Sequence, residues 1–248
     1  MKASRPGNGT LRRVTQGAAA DLYLRGMLMS PAPLRDRARQ HALRPTGLAT
    51  VLATGSDASA ELRAAVAALG RRPARITVSA DVADEVAPVA ASLGLVPAGE
   101  ATLMSCALDC AHAEAPSARV ERVVDAAGLE EVSELVAAAF GLDGSEILSG
   151  DLYDAEGADG WLLRDEEGHA VSSLVATADP DLLGLWSIAT PPAARRRGHG
   201  QRLLRAVLGH YALEGLETAC VIATEQGAPL YRTVGFEPAE RLRVWMKR

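Results

Sequence analysis

The sequence is poor in cysteine, in aromatic residues and in positive charge, and each shortage excludes a class of protein. Three cysteines among 248 residues, Cys106, Cys110 and Cys220, cannot form a disulfide framework, so we expect a reducing, cytoplasmic compartment. Aromatic residues make up only 4% against 48% apolar residues in total, which predicts a core of alanine, leucine and valine. The net charge of -5 disfavours nucleic acid and anionic membranes as partners.

Long apolar runs are also missing from the sequence. No stretch of about 18 uncharged apolar residues could span a membrane, and the basic start MKASRPGNGTLRR precedes no run suited to a signal peptide. Cys106, Cys110 and His112 lie close together, but their spacing is irregular and no fourth ligand is in view. We therefore expect a protein without a membrane span and without a metal.

From residue 48 onward the pattern alternates between strands and helices, which indicates α/β layers. Strands are expected at 48–54, 75–79, 101–108, 118–124, 161–164, 170–177, 182–190, 218–224 and 242–247. Helices are expected at 18–29, 34–43, 58–69, 83–93, 129–140 and 228–234, and directly after Gly200. Residues 109–117 lack periodicity and contain Pro116, so we interpret them as a linker between a domain of residues 1–110 and a domain of residues 117–248.

The two halves of the chain resemble each other at an offset of 141 residues. The matching positions are Ala87-Pro88 with Ala228-Pro229, Gly94 with Gly235, and Pro97-Ala98 with Pro238-Ala239. Two differences stand out against this similarity: Ala90 occupies the place of Tyr231, and the first half has no arginine cluster after its first strand. We expect the first half to have kept the scaffold and lost a ligand site.

The stretch 182–208 predicts an anion site. A buried strand leads through Pro191-Pro192 into the turn Arg195 to Gly200, and a helix with an apolar face follows. The N-terminus of a helix presents unpaired backbone N–H groups, and glycines let a phosphate approach the main chain. Arg195, Arg196 and Arg197 oppose the helix dipole when no anion is present, which favours a polyanionic ligand there.

Two motifs of the second half resemble the GNAT superfamily of acyl-CoA-dependent N-acetyltransferases. The first runs from Ile188-Ala189-Thr190 through Arg195-x-x-Gly198-x-Gly200, and the second is Leu230-Tyr231-Arg232-x-x-Gly235-Phe236. The resemblance covers roughly residues 118–248, and the first half resembles a degenerate, truncated copy. It implies an α/β (α+β) fold of two GNAT-like mixed-sheet domains flanked by helices, the N-terminal one truncated.

The resemblance also implies an activity and a site. Acetyl-CoA would serve as co-substrate, and an N–H near Ile188 would polarise its thioester. Tyr231 would act as the catalytic residue, donating a hydrogen bond or a proton to the departing thiolate. The cofactor-binding residues would be Ile188, Ala189, Thr190, Arg195, Arg196, Arg197, Gly198, His199, Gly200 and Gln201.

Several alternatives stay open at the level of sequence. The general base has three candidates in Glu225, Asp143 and Glu146, and the acceptor is expected to be a primary amine of a small molecule or peptide. A non-catalytic acyl-CoA-binding or sensing module is the competing function. A nucleotide-phosphate site is a third, although the Walker-type pattern is absent. A homodimer is an assembly that the sequence neither predicts nor excludes.

Overall fold

The computed structural model describes residues 40–43, 48–53, 58–69, 74–108, 119–140, 158–179 and 182–247. The strands in these ranges are β1 (Gln40–Leu43), β2 (Leu48–Ala53), β3 (Ala74–Ser79), β4 (Val96–Ala107), β5 (Val120–Arg122), β6 (Ala158–Arg164), β7 (Ala170–Asp179), β8 (Leu182–Ala189), β9 (Thr218–Ala223) and β10 (Glu237–Lys247). The α-helices are α1 (Ala58–Leu69), α2 (Ala80–Ser92), α3 (Ala126–Phe140), α4 (His199–Leu213) and α5 (Ala228–Arg232).

All ten of these strands form one mixed sheet, in the order β1-β2-β3-β10-β4-β9-β8-β7-β6-β5. The expected α+β fold with a mixed sheet is therefore confirmed, but the strands of the two expected domains form one continuous sheet. The reason is that the last strand of each half lies within the other half: β10 hydrogen-bonds β3, and β4 hydrogen-bonds β9. Because β10 and β4 also pair with each other along most of their length, the sheet continues without an open edge between the halves.

The pairing of β4 with β10 is symmetric about one residue pair. Ala101 lies opposite Leu242, and these two residues are 242 − 101 = 141 positions apart. Each strand has one register shift, which leaves Ala98 as the extra residue in β4 and Ala239 as the extra residue in β10. Both extra residues follow a proline, which has no N–H to donate to the ladder and is tolerated at such bulges.

Helices cover both faces of the sheet. α4 and α5 pack on one face of the β6–β9 region, and α3 packs on the opposite face over Leu162, Val175 and Trp186. α1 and α2 pack on the first half, where they bury Ile76, Val78 and also Trp245 of β10. The core of the first half thus contains a side chain from the last strand of the second.

Most predicted elements agree with the structure to within about three residues, and three larger differences need correction. The helix expected at 34–43 is wrong for its end, because Gln40–Leu43 is a strand that pairs antiparallel with β2. The last strand of each half begins five residues earlier than expected, β4 at Val96 instead of 101 and β10 at Glu237 instead of 242. The reason is that a glycine in the left-handed region follows each helix, Gly94 at φ 72° and Gly235 at φ 95°, and turns the chain into the sheet. The helix expected at 18–29 and the linker at 109–117 lie outside the described residues.

Candidate active site

The end of β8 carries a bulge. Ser173 pairs with Ala189 and Val175 pairs with Trp186, so that two residues of β8, Ser187 and Ile188, lie opposite one residue of β7. Ser187 has φ 48°, which a non-glycine residue rarely adopts. The bulge changes the direction of the main chain at Ile188. Ile188 is the residue near which the family resemblance implies an N–H that polarises the thioester.

β8 and β9 separate at the same level. Their parallel ladder joins Leu182–Leu185 to residues 218–221, whereas β8 continues to Ala189 and β9 to Ala223. No pair is described beyond Leu185 and Val221. The facing edges of the two strand ends are therefore the place where an extended molecule could pair with main-chain groups as an added strand.

The predicted phosphate turn follows β8 directly. Pro191 leads into a short 3₁₀ turn at Pro192–Ala194, Arg196 has φ 64°, and Gly198, at φ 79°, immediately precedes α4. No side chain of the described residues caps the start of α4. The first N–H groups of the helix have no carbonyl acceptor within it, so this turn has the geometry of an anion site.

The arginines of the turn divide into two kinds. Arg195 donates from Nε to the Thr190 carbonyl oxygen at 3.0 Å and from Nη2 to the Ala139 carbonyl oxygen at 2.8 Å. Arg196, Arg197 and Arg202 are exposed, and no ion pair is described for them in the part of the chain that the structure covers. Charge for an anion is thus available from these three, while the Arg195 guanidinium is occupied with main-chain carbonyls.

His199 is the first residue of α4. Partial burial and then the charges of Arg202 and Arg197 hold the pKa of its imidazole below the usual value, whereas Asp165 acts in the opposite direction. Its Nδ1 is buried and has no hydrogen-bond partner among the described residues. The imidazole is therefore neutral near pH 7 and adds no charge to the turn.

Gly200 sits where α4 approaches both β8 and α5. A Cβ placed on it would lie 3.3 Å from Leu230 Cδ2 and 3.6 Å from Thr190 Oγ1. The first contact is tighter than an ordinary van der Waals separation, so a glycine suits this position. The phosphate turn is in this way packed against the residue next to Tyr231.

Tyr231 lies on α5 with 7% of its surface exposed, inside the main core of the second half. Its ring packs edge-to-face on Phe236, with centroids 5.9 Å apart. Burial raises the pKa of the phenol from 10.0 to about 12. Tyr231 therefore stays protonated at every pH at which the protein would be used.

Only some of the remaining sequence candidates lie among the described residues. Glu225 is exposed in the turn after β9, and Asp143 and Glu146 lie outside the described residues. Cys106 and Cys220 are buried and form no disulfide in the described part of the chain, and burial raises the pKa of the Cys220 thiol to about 12. No cluster of three or more potential metal ligands occurs in the described ranges, and Cys110 and His112 lie outside them.

No helix of the described part is long and apolar enough to cross a membrane.

Ser172 is a site residue that the sequence reasoning missed. Its fully buried hydroxyl donates to the Ala189 carbonyl oxygen at 2.8 Å, and its oxygen lies 2.9 Å from Thr190 Oγ1. These contacts fix the end of β8 from the neighbouring strand. The only signal was a serine at the inward position of an alternating strand, where Leu174 and Ala176 are also buried.

The comparisons with known proteins agree with this geometry. Residues 156–238 match the sequence family of the acetyltransferase (GNAT) domain. A GCN5-related N-acetyltransferase from Kribbella flavida is similar over 97% of this chain and 96% of its own, with a TM-score of 0.59 at 19% identity. A GCN5-related N-acetyltransferase from Sphaerobacter thermophilus is similar over 83% of this chain and 74% of its own, with a TM-score of 0.56 at 18% identity. A search of curated proteins found no match.

The family match spans β6 to the start of β10, which includes the bulged strand, the phosphate turn and Tyr231. The structural similarities extend over nearly the whole chain in the first case, but at such identity they speak for the fold alone. The chain therefore has the GNAT fold, and residues 156–238 of its second half are similar to the acetyltransferase (GNAT) domain.

Proposed function

We propose that the protein is an N-acetyltransferase that moves the acetyl group of acetyl-CoA to a primary amine of a small molecule or peptide. The observation that carries this proposal is the separation of β8 from β9 beside an uncapped helix start with three exposed arginines. A slot for an extended arm next to a site for a diphosphate matches the two parts of coenzyme A. A protein with only a scaffold role needs neither feature.

In this proposal the main-chain N–H groups of residues 196–201 hold the diphosphate, and the exposed arginines add charge-assisted hydrogen bonds. Ile188, Ala189 and Thr190 line the slot for the pantetheine arm. The N–H near Ile188 stabilises the oxyanion that forms when the amine attacks the thioester carbon. The Arg195 side chain has a different part, since its donors already meet two carbonyl oxygens.

The chemistry is a direct transfer. The amine nitrogen forms a bond to the carbonyl carbon, the carbon–sulfur bond breaks, and one amine proton leaves to a base or to water. Glu225 is the described candidate for that base, because it follows β9 at the open end of the slot.

Tyr231 assists the leaving group as a hydrogen-bond donor in this mechanism. Its phenol has a pKa of about 12, whereas an aliphatic thiol such as that of cysteine ionises near 8.5, so full proton transfer to the thiolate is unfavourable. Donation without transfer stabilises the developing negative charge on sulfur. This role needs the hydroxyl to remain protonated, which its burial ensures.

The proposal is tested by measuring free thiol released from acetyl-CoA against a panel of amines, together with the dissociation constant of acetyl-CoA. We expect amine-dependent thiol release. Tight binding with no turnover for any amine would instead favour the acyl-CoA-sensing function. Displacement of coenzyme A by ATP at equal concentration would favour a nucleotide site.

We further propose that the chain is a tandem pair, with a degenerate GNAT-like copy in residues 1–110 and the acetyltransferase domain in residues 117–248. Both β3–α2–β4 and β9–α5–β10 have the same order of elements. α2 and α5 end alike: Leu95 N–H donates to Ala90 O at 3.0 Å, and Phe236 N–H donates to Tyr231 O at 3.1 Å. These equivalent bonds are again 141 residues apart, which supports a repeat.

A further inference from the structure

Arg195 connects the phosphate turn to a helix that begins some seventy residues earlier. α3 has no basic residue in its last turn, and its Ala139 carbonyl lies in the part of the helix where no N–H of the helix can reach. Arg195 Nη2 donates to that oxygen at 2.8 Å, while Nε of the same guanidinium donates to Thr190 O at 3.0 Å. One planar group thus caps α3 and holds the end of β8.

The last turn of α3 packs against the strand end that the cofactor slot uses. Ala137 and Ala139 belong to the same apolar cluster as Trp186 and Ala189 of β8. The main chain of Arg195 is itself part of the turn, since its N–H donates to Pro192 O at 3.3 Å. Any ligand that fixes the turn therefore also fixes the donor on which the end of α3 depends.

We propose that Arg195 is a positioning residue that couples the occupancy of the phosphate turn to the order of the last turn of α3. The coupling rests on the proposed function, because coenzyme A is the ligand that fills the turn. It is reciprocal: a ligand that steadies the end of α3 through Arg195 binds more tightly when that end is already ordered. Arg195 acts here by holding the end of β8 and the last turn of α3, and not by placing charge on the diphosphate.

Hydrogen exchange of the full-length protein with and without coenzyme A tests this coupling. In the wild type, coenzyme A slows exchange in peptides that cover residues 132–140. In Arg195→Ala this slowing is lost at saturating coenzyme A, and exchange of the free protein in the same peptides is faster by about fivefold. Arg195→Lys, which can reach one carbonyl but not both at once, keeps part of the effect.

Arg197→Ala is the matched control, because it removes an arginine of the same turn for which no hydrogen bond or ion pair with the described α3 residues is found. It weakens coenzyme A binding, yet at saturation the slowing of exchange at 132–140 is the same as in the wild type. Equal slowing in the wild type and Arg195→Ala overturns the coupling and leaves the proposed function intact. Absence of coenzyme A binding by the wild type overturns both.

Discussion

The two halves of the molecule share a scaffold and differ at the positions that chemistry needs. Both end a helix with a glycine in the left-handed region, Gly94 at φ 72° and Gly235 at φ 95°, and both then enter a strand with a proline bulge. Where the second half has Tyr231, the first has Ala90. Strand pairing in the sheet is thus common to both halves, whereas the proposed ligand and catalytic groups lie in the second half only.

The retained part has a structural reason. β4 supplies the neighbour of β9, and β10 supplies a neighbour of β3. A half that lost its catalytic residues would still have to supply its last strand to the other. The residues of β4 and β10 therefore stabilise both halves, whereas a residue such as Tyr231 has a proposed role only in the site.

Removing the first half is the change with the largest expected effect. Without residues 1–110, β9 loses the strand that pairs with Thr218–Ala223, and β10 loses partners on both sides. We expect residues 117–248 alone to show no cooperative thermal unfolding by circular dichroism, because exposed strand edges and Trp245 have no cover. A folded, active fragment would show that the halves are independent.

Tyr231→Phe breaks the catalytic side of the comparison. We expect kcat to fall by about 10²- to 10⁴-fold, because the hydrogen bond to the leaving thiolate is lost. The dissociation constant of acetyl-CoA should stay within about twofold, since the ring and its contact with Phe236 remain. Steady-state kinetics and calorimetry measure the two quantities, and an unchanged kcat would remove Tyr231 from the mechanism.

Gly198→Ala and Gly94→Ala form a matched pair. Both glycines have positive φ, 79° and 72°, and a Cβ on either meets no atom within 4 Å. Each change should lower the free energy of unfolding by about 1–2 kcal/mol, the strain of an L-residue in that region. Only Gly198→Ala should also weaken coenzyme A binding, by about tenfold, because Gly198 lies in the proposed phosphate turn, directly before α4. Chemical denaturation measures the free energies of unfolding, and calorimetry measures the affinities for coenzyme A. Equal affinities of the two variants would contradict the placement of the phosphate site at Gly198.

A smaller effect concerns alkaline pH. The pKa of Tyr231 is 10.0 in the unfolded chain and about 12 in the fold, so the folded state holds the phenolic proton more tightly. The contribution of this bound proton to the free energy of unfolding is fully present below pH 10 and is lost as pH rises toward 12. Between pH 9 and 11 the wild type should lose about 1.4 kcal/mol more than Tyr231→Phe, as urea unfolding would show. Parallel curves for the two proteins would contradict the buried phenol.

The local parts of this structure were predictable from the sequence. The helices at 58–69 and after Gly200 and the strand at 218–224 agree with the observed elements to about one residue, because periodicity and turn residues act over short distances. The 141-residue offset was visible as well. The pairing of the last strand of each half with the other half was not predictable, because a strand with the right apolar pattern can pair with either half. Only the observed pairing of β4 with β10 shows which arrangement the chain adopts.

The site was predictable where main-chain geometry makes it and unpredictable where side chains cross between elements. The turn at Gly198 and Gly200 follows from glycine at a helix start. The direction of the Arg195 side chain does not, because its partner Ala139 lies 56 residues away and offers only a carbonyl. The hydroxyl of Ser172 was equally hidden, since a serine in a strand has no motif.

The central claim is that the second half alone holds coenzyme A, with the diphosphate at the phosphate turn and the sulfur beside Tyr231. A crystal structure of the protein with coenzyme A tests it most directly. We expect diphosphate oxygens on the N–H groups of residues 198–201, and the sulfur within about 3.5 Å of Tyr231 Oη. Diphosphate bound at the first half, or a wild-type turn with no ligand beside it, would show that coenzyme A is not held in this way.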